Sequence, residues 1–310
     1  MTERALQLQG ITKRFGDFTA VSGLDLTVPK GSCYGFLGPN GAGKTTTIRI
    51  ILSIYEPTSG TVEVLGHRSA LEVRPRIGYL PEEKGLYKKM KAREIIAYFG
   101  QLKGLRRGDA LRRGDELLER YGLGEFKARR CEALSKGMQQ KVQVLAAIVH
   151  APEFVILDEP FSGLDPVNQQ VMEQVIRDLR DNGATVVFST HVMEHAERLC
   201  DRIVLIARGK KLLDGTIAEA KRSVPRRVLI ETSSDVGRLR DVPGVVSLER
   251  YEGDGNWQIT LAEGANADAV LRACFQHGIE LRTFDRREPG LRDVFLKFVG
   301  ARDVVEEVVA

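Results

Sequence analysis

The chain lacks several features that would settle its compartment or its partner at once. No apolar run reaches the about 18 residues that a bilayer-spanning helix needs, so no membrane span is expected. The opening Met1-Thr-Glu-Arg-Ala-Leu6 has no apolar signal core, and export by that route is not expected. Cysteine is scarce. Cys33, Cys131, Cys200 and Cys274 stand far apart with no C-x-x-C spacing, which argues for packing thiols in a reduced cytosolic compartment. Charge of one sign is also scarce. A net +4 over 310 residues says little for nucleic acid or membrane, and the basic clusters 106–113 and 127–130 read first as solvated helix faces. With 43% hydrophobic and 28% charged residues, the composition is ordinary for a soluble globular protein with room for two domains.

What is present is a phosphate loop. Gly38-Pro39-Asn40-Gly41-Ala42-Gly43-Lys44-Thr45-Thr46 fits the pattern G-x-x-x-x-G-K-[ST]. Residues 32–37 before it read as a short buried strand. Lys44 to Ser53 after it carry Ile48, Ile51 and Leu52 at helical spacing. Small residues let backbone N–H groups turn inward around an anion, and the following helix points its positive end at the same place. Lys44 adds a point charge for the β- and γ-phosphates, and the Thr45 hydroxyl is placed to ligate Mg²⁺.

Ahead of the loop, residues 5–30 alternate apolar and polar and suggest an antiparallel β layer. Its turn carries Phe15 and Phe18, either of which could stack on a base or simply cover a core edge. Residues 91–150 change to helix formers and look like an inserted helical subdomain, whose last helix starts with Ser135 as N-cap. Phe154-Val-Ile-Leu157 is a continuous apolar run, the mark of a parallel strand buried on both faces, and it ends in Asp158-Glu159. Thr185 to Thr190 is another such strand, ending at His191. The β/α alternation argues a parallel sheet with helices on its faces, and ligands of such sheets sit at the C-terminal ends of the strands. Asp158, Glu159, His191 and the phosphate loop all fall there.

Beyond Val224-Pro225 the character shifts. A strand at 227–231, a short helix at 236–239, strands at 245–250 and 257–261 flanking a hairpin turn at Glu252-Gly-Asp-Gly-Asn256, an amphipathic stretch at 266–277, a strand at 279–284 and a helix at 291–299 suggest a small ferredoxin-like domain. Packing or dimer contact is one reading of it and ligand sensing another.

These pieces together resemble the ATP-binding cassette of ABC transporters over residues 3–222. Gly38–Thr46 matches the Walker A loop, and Phe154–Glu159 matches Walker B with its adjoining carboxylate. Leu134-Ser135-Lys136-Gly137-Met138 looks like the cassette signature, Ser162-Gly-Leu-Asp165 like the D-loop, and Ser189-Thr-His191 like the switch histidine. The text of residues 81–90 and 134–141, and the ending Leu291-Arg-Asp-Val-Phe295, are similar to ATPase subunits of ABC-2-type exporters, such as sodium-efflux and drug-resistance ATPases.

The resemblance implies a P-loop NTPase core at residues 1–222, a small α+β domain at 223–300 and a tail at 301–310. It implies ATP hydrolysis, with ATP and Mg²⁺ as cofactors. Two cassettes, copies of this chain or paralogues, would meet head to tail on a separate transmembrane permease at the inner face of the cell membrane; no nucleic acid is expected. Each ATP would lie between one Walker A loop and the partner's Ser135, Lys136 and Gly137. Glu159 would act as general base, Asp158 would hold Mg²⁺ through water, and Lys44 would bind phosphate. His191 would hold Glu159 and the partner's Asp165 in register, and Phe15 would lie under the adenine. Competing readings are a soluble cassette acting on ribosomes or nucleic acid, and a nucleotide-gated regulator of low turnover.

The chain departs from the family pattern at Lys136 and Met138, where the signature has a glycine and a glutamine. It departs again at Glu82, where the family has a glutamine that ligates Mg²⁺. A carboxylate there could bind the ion more strongly but adds repulsion near the γ-phosphate.

Overall fold

A computed structural model describes residues 3–300 other than positions 84, 86 and 252. Glu252 of the expected hairpin turn and the 301–310 tail therefore lie outside the described residues. The chain parts into two compact units, one running to Thr216 and the other beginning at Ile217.

The first unit opens with the β layer. Strands β1 (Arg4–Phe15) and β2 (Phe18–Pro29) form a long antiparallel hairpin. Their alternate apolar residues, from Leu6 and Leu8 to Leu26 and Val28, are buried on one face. β3 (Cys33–Leu37) then leads into helix α1 (Lys44–Ile51), and β4 (Ser59–Val64) returns to pair with β1. β5 (Ile77–Leu80) precedes the helical region α2 (Ala92–Leu102), α3 (Arg107–Arg120) and α4 (Lys136–Ile148). The β/α alternation resumes with β6 (Phe154–Leu157), α5 (Pro166–Asp181), β7 (Thr185–Thr190), α6 (Met193–Leu199) and β8 (Arg202–Ala207). β9 (Lys210–Thr216) closes the unit as an antiparallel edge strand that the sequence reading did not anticipate.

The main sheet has the order β5-β6-β7-β3-β8-β9. Strands β3, β6 and β7 are buried on both faces because they separate two cores. Phe154 and Ile156 of β6 pack with the β layer and α1, while Val155 and Leu157 pack with α2, α4 and α5. This explains why β3, β6 and β7 are continuously apolar rather than alternating. In the parallel register Leu37 lies beside Thr190, and Leu157 lies beside both Phe188 and Leu80. The loops leaving β3, β5, β6 and β7 consequently start side by side.

The second unit begins with α7 (Ile217–Arg222), which packs against the closing helix, so the divide falls one short helix earlier than the sequence suggested. Its strands are β10 (Arg227–Glu231), β11 (Val245–Arg250), β12 (Asn256–Leu261) and β13 (Thr283–Arg287); its other helices are α8 (Ala267–Gln276) and α9 (Leu291–Val299). The sheet order β11-β12-β10-β13, all antiparallel, is that of a split βαβ, ferredoxin-like domain. The helix expected after β10 is only a 3₁₀ turn, Gly237–Asp241. The strand expected from Ile279 begins instead at Thr283. Ile279 is taken up in the C-terminal turn of α8, where its N–H donates to Cys274 O at 2.9 Å.

Candidate functional site

The loop between β3 and α1 is shaped by residues with no room for a side chain. Gly43 is the N-cap of α1 with φ +103°, and a Cβ there would sit 2.5 Å from Ala20 O. Only glycine fits this close approach in a left-handed conformation. Gly38, Pro39, Asn40, Gly41 and Ala42 form the turn before it, tied by Ala42 N–H to Pro39 O (3.2 Å) and by Gly209 N–H to Ala42 O (3.0 Å). Thr45 and Thr46 lie half-buried in the first turn of α1. The Lys44 ammonium is buried inside the loop. It donates to Gly38 O at 2.6 Å and to Pro39 O at 3.2 Å, and lies 3.4 Å from Glu159 Oε1.

Asp158 and Glu159 leave the end of β6 with side chains almost wholly buried. Ser189, near the end of β7, ties both: its hydroxyl donates to Asp158 Oδ1 at 2.6 Å and accepts the Glu159 N–H at 2.8 Å. Thr45 Oγ1 reaches the same Asp158 oxygen at 3.4 Å. His191 Nδ1 lies 3.1 Å from Glu159 Oε2. Glu159 also has φ +48°, a costly backbone state for a residue with a Cβ, of the kind that surrounding structure must hold in place. Lys44, Thr45, Asp158, Glu159 and His191 are therefore brought together as the sequence spacing implied.

The two adjacent carboxyls are pushed in opposite directions. Burial raises the Asp158 pKa, with the bonds from Ser189 and Thr45 pulling only partly back. Burial acts the same way on Glu159, but the His191 hydrogen bond and the Lys44 charge outweigh it, and its pKa is lowered. Glu82, on the loop after β5, is raised by partial desolvation and then by the charges of Asp158 and Glu159. Three carboxyls therefore share the field of one buried ammonium.

The signature and D-loop residues form a second cluster. Ser135 caps α4 by accepting the Met138 N–H at 3.2 Å, and Asp165 caps α5 by accepting the Asn168 N–H at 2.9 Å. Asn168 joins the two caps. Its Nδ2 donates to Asp165 Oδ2 at 2.6 Å and packs so closely on Gly137 that a Cβ there would be 2.5 Å away. Lys136 is exposed at the first position of α4, in a helical turn with no acidic residue. Phe15 lies at the tip of the β1–β2 hairpin, 45% exposed, edge-on to Tyr55 at 5.6 Å with the Lys13 ammonium 5.0 Å from its ring centroid.

Sequence reasoning missed Ser189 and Asn168 as site residues. A serine directly after the apolar run Val186–Phe188, two residues before His191, was the available signal for the first. Nothing local marked the second, because its role depends on a glycine 31 positions earlier in the chain.

The chain is similar to known proteins over nearly its whole length. A family model described as ABC transporter matches residues 21–162, and one described as ATP-binding protein DrrA1-3-like, C-terminal domain, matches residues 215–299. The chain is 40% identical over 299 residues to the uncharacterized ABC transporter ATP-binding protein YhaQ of Bacillus subtilis, covering 96% of this chain and 99% of that one. It is 34% identical over 314 residues to the daunorubicin resistance ATP-binding protein DrrA3 of Streptomyces coeruleorubidus, covering 99% of each. A solved ATP-binding subunit of an ABC transporter superposes with a TM-score of 0.66 at 30% identity, over 71% of this chain and 92% of that one.

Proposed function

The chain belongs to the ATP-binding cassette family of ABC transporters, and on that footing we propose that Lys44, Glu159 and His191 are the hydrolytic centre of one half of a cassette dimer. It is an ATPase, the ATP-binding subunit of an exporter-type transporter. The relatives named for drug resistance support the exporter reading. The first unit is its nucleotide-binding domain, with a helical subdomain at about residues 91–150, and the second an appended α+β domain.

The observation that carries the assignment is the continuous contact from Lys44 to Glu159 to His191 across the ends of β3, β6 and β7. Lys44 and the loop N–H groups hold the β- and γ-phosphates. Glu159, kept ionised despite its burial, polarises the attacking water as general base. His191 orients Glu159 through Oε2. Phe15 offers its exposed ring to the adenine.

The oxygen donors fit a magnesium ion. Asp158 Oδ2 is buried with no hydrogen-bond partner among the described residues, the Thr45 hydroxyl lies beside it, and the charge of Glu82 is felt there. A hydroxyl and carboxylates suit a hard cation whose remaining ligands are phosphate and water. When bound, the ion neutralises charge on the β- and γ-phosphate oxygens.

Ser135, Lys136 and Gly137 meet the γ-phosphate held by a second cassette, with Asp165 facing that cassette's switch histidine. The second cassette is a copy of this chain or a paralogue, and a separate permease carries the transport path. Among the described residues no helix is long and apolar enough to cross a membrane. The chain works at the cytoplasmic face of that permease, and nucleic acid has no part in the cycle.

Steady-state ATP turnover tests the assignment. Glu159→Gln is expected to lower it by about 10²–10⁴-fold while ATP still binds. Turnover that survives the substitution overturns the role of Glu159.

A further inference from the structure

The second unit carries a cavity of about 580 Å³ that ATP hydrolysis does not use. It opens at one end of the four-stranded sheet, between the turn after β10, the β11–β12 hairpin and Arg282 ahead of β13. The backbone around it is well tied. The Thr232 N–H donates to Gly255 O at 2.9 Å, its hydroxyl donates to Glu280 O at 2.7 Å, and the Glu280 N–H donates to Ser234 Oγ at 3.2 Å. All three lining segments are thereby fixed to one another.

One wall is Trp257, the only tryptophan in the chain and half-buried, paired across the sheet with Ile230 and Arg250. The Arg250 guanidinium lies 5.4 Å from its ring centroid. The other walls carry charges of both signs. Arg250 pairs with Asp254 at 3.5 Å and Arg282 with Glu231 at 3.4 Å, while Asp235 supplies a third carboxylate. Both arginine side chains are about 70% exposed, and Asp254 is fully so. Ion pairs this open contribute little, so their heads are free to turn to a ligand at small cost.

The volume is within the range of small-molecule sites. The charges select among small molecules. A simple anion meets three carboxylates, and a simple cation leaves two guanidiniums unanswered. We propose that this cavity binds a small zwitterion of the amino-acid class. Its carboxylate lies toward Arg250 and Arg282, its ammonium toward Asp235 and Asp254, and an apolar or aromatic side chain lies against Trp257.

Because Trp257 stands alone in the sequence, its emission reads this cavity in the full-length chain without a label. The probes are L-phenylalanine and L-leucine, with phenethylamine and 3-phenylpropionate as the singly charged counterparts of the first. At least one amino acid is expected to shift the emission saturably, with a Kd on the order of a millimolar. Both singly charged probes are expected to bind at least about tenfold more weakly than L-phenylalanine, and Arg282→Gln to weaken the amino acid by about tenfold. Arg282 is exposed, and an unchanged Trp257 spectrum in the free variant establishes that its fold is intact. No saturable shift with either amino acid overturns the proposal. So does an equal response to the three phenyl probes, or a variant that titrates like the parent chain.

Discussion

At the scale of single residues, the site turns on how few cations face how many carboxyls. Lys44 alone is buried against Glu159, while Asp158 and Glu82 are both shifted up by burial and by their neighbours. A divalent cation bound there would relieve this imbalance, and Glu82 would add to the demand for one. Glu82→Gln is therefore expected to raise the magnesium concentration needed for half-maximal turnover while changing ATP affinity little. A magnesium titration that superposes on the parent's would contradict this. The chemistry-bearing residues were legible because each ends a run whose periodicity is easy to read, as Asp158-Glu159 ends an apolar strand. Ser189 was not, because a hydroxyl gains its role only from what the adjacent strand brings within 2.6 Å.

At the scale of elements, α4 and α5 are coupled through their caps. Gly137 lies under Asn168, and Asn168 holds Asp165. In Gly137→Ala the helix gains about 0.5–1 kcal/mol of propensity, and displacement of the Asn168 amide costs about 1 kcal/mol for the lost hydrogen bond. Thermal stability should thus change little while turnover falls about tenfold or more, since Asp165 and Gly137 are the residues proposed to face the second cassette. Parent-like turnover, or a large drop in unfolding temperature, would count against this coupling. Elements with a strong period were legible from sequence, including β6, β7 and α8. The edge strand β9 was not, because half-exposed Lys210–Thr216 lacks a clean alternation and owes its place to pairing with β8. β13 was displaced because Ile279, apolar and strand-like in isolation, is spent on closing α8.

At the scale of the whole molecule, stability carries a pH signature from His150, far in function from the phosphate loop. Its Nε2–H donates to Ile77 O at 3.1 Å, and its Nδ1 is buried with no partner among the described residues, so a second proton there is unwelcome. Burial lowers its pKa from 6.5 to about 4. The unfolded chain takes up a proton near pH 6.5 and the folded chain only near 4, so stability falls as pH drops through that window and levels off below it. The loss is on the order of 2 kcal/mol after allowance for partial exposure. Urea unfolding at pH 7 and pH 4.5 should show it, and His150→Gln, which keeps a donor for Ile77 O, should make the difference smaller. An unchanged pH dependence in the variant would refute the assignment.

The central claim is that the loop around Lys44 is half a site and that Ser135 of a second cassette completes it. Lys44→Ala and Ser135→Arg each disable every composite site of a homodimer, yet a dimer of one with the other retains one intact site. Mixing the two variants should therefore restore ATP turnover to about a quarter of the parent level, the share of intact sites in a random mixture. A mixture no more active than either variant alone, with dimers forming and the Ser135→Arg chain still binding ATP, would contradict the account.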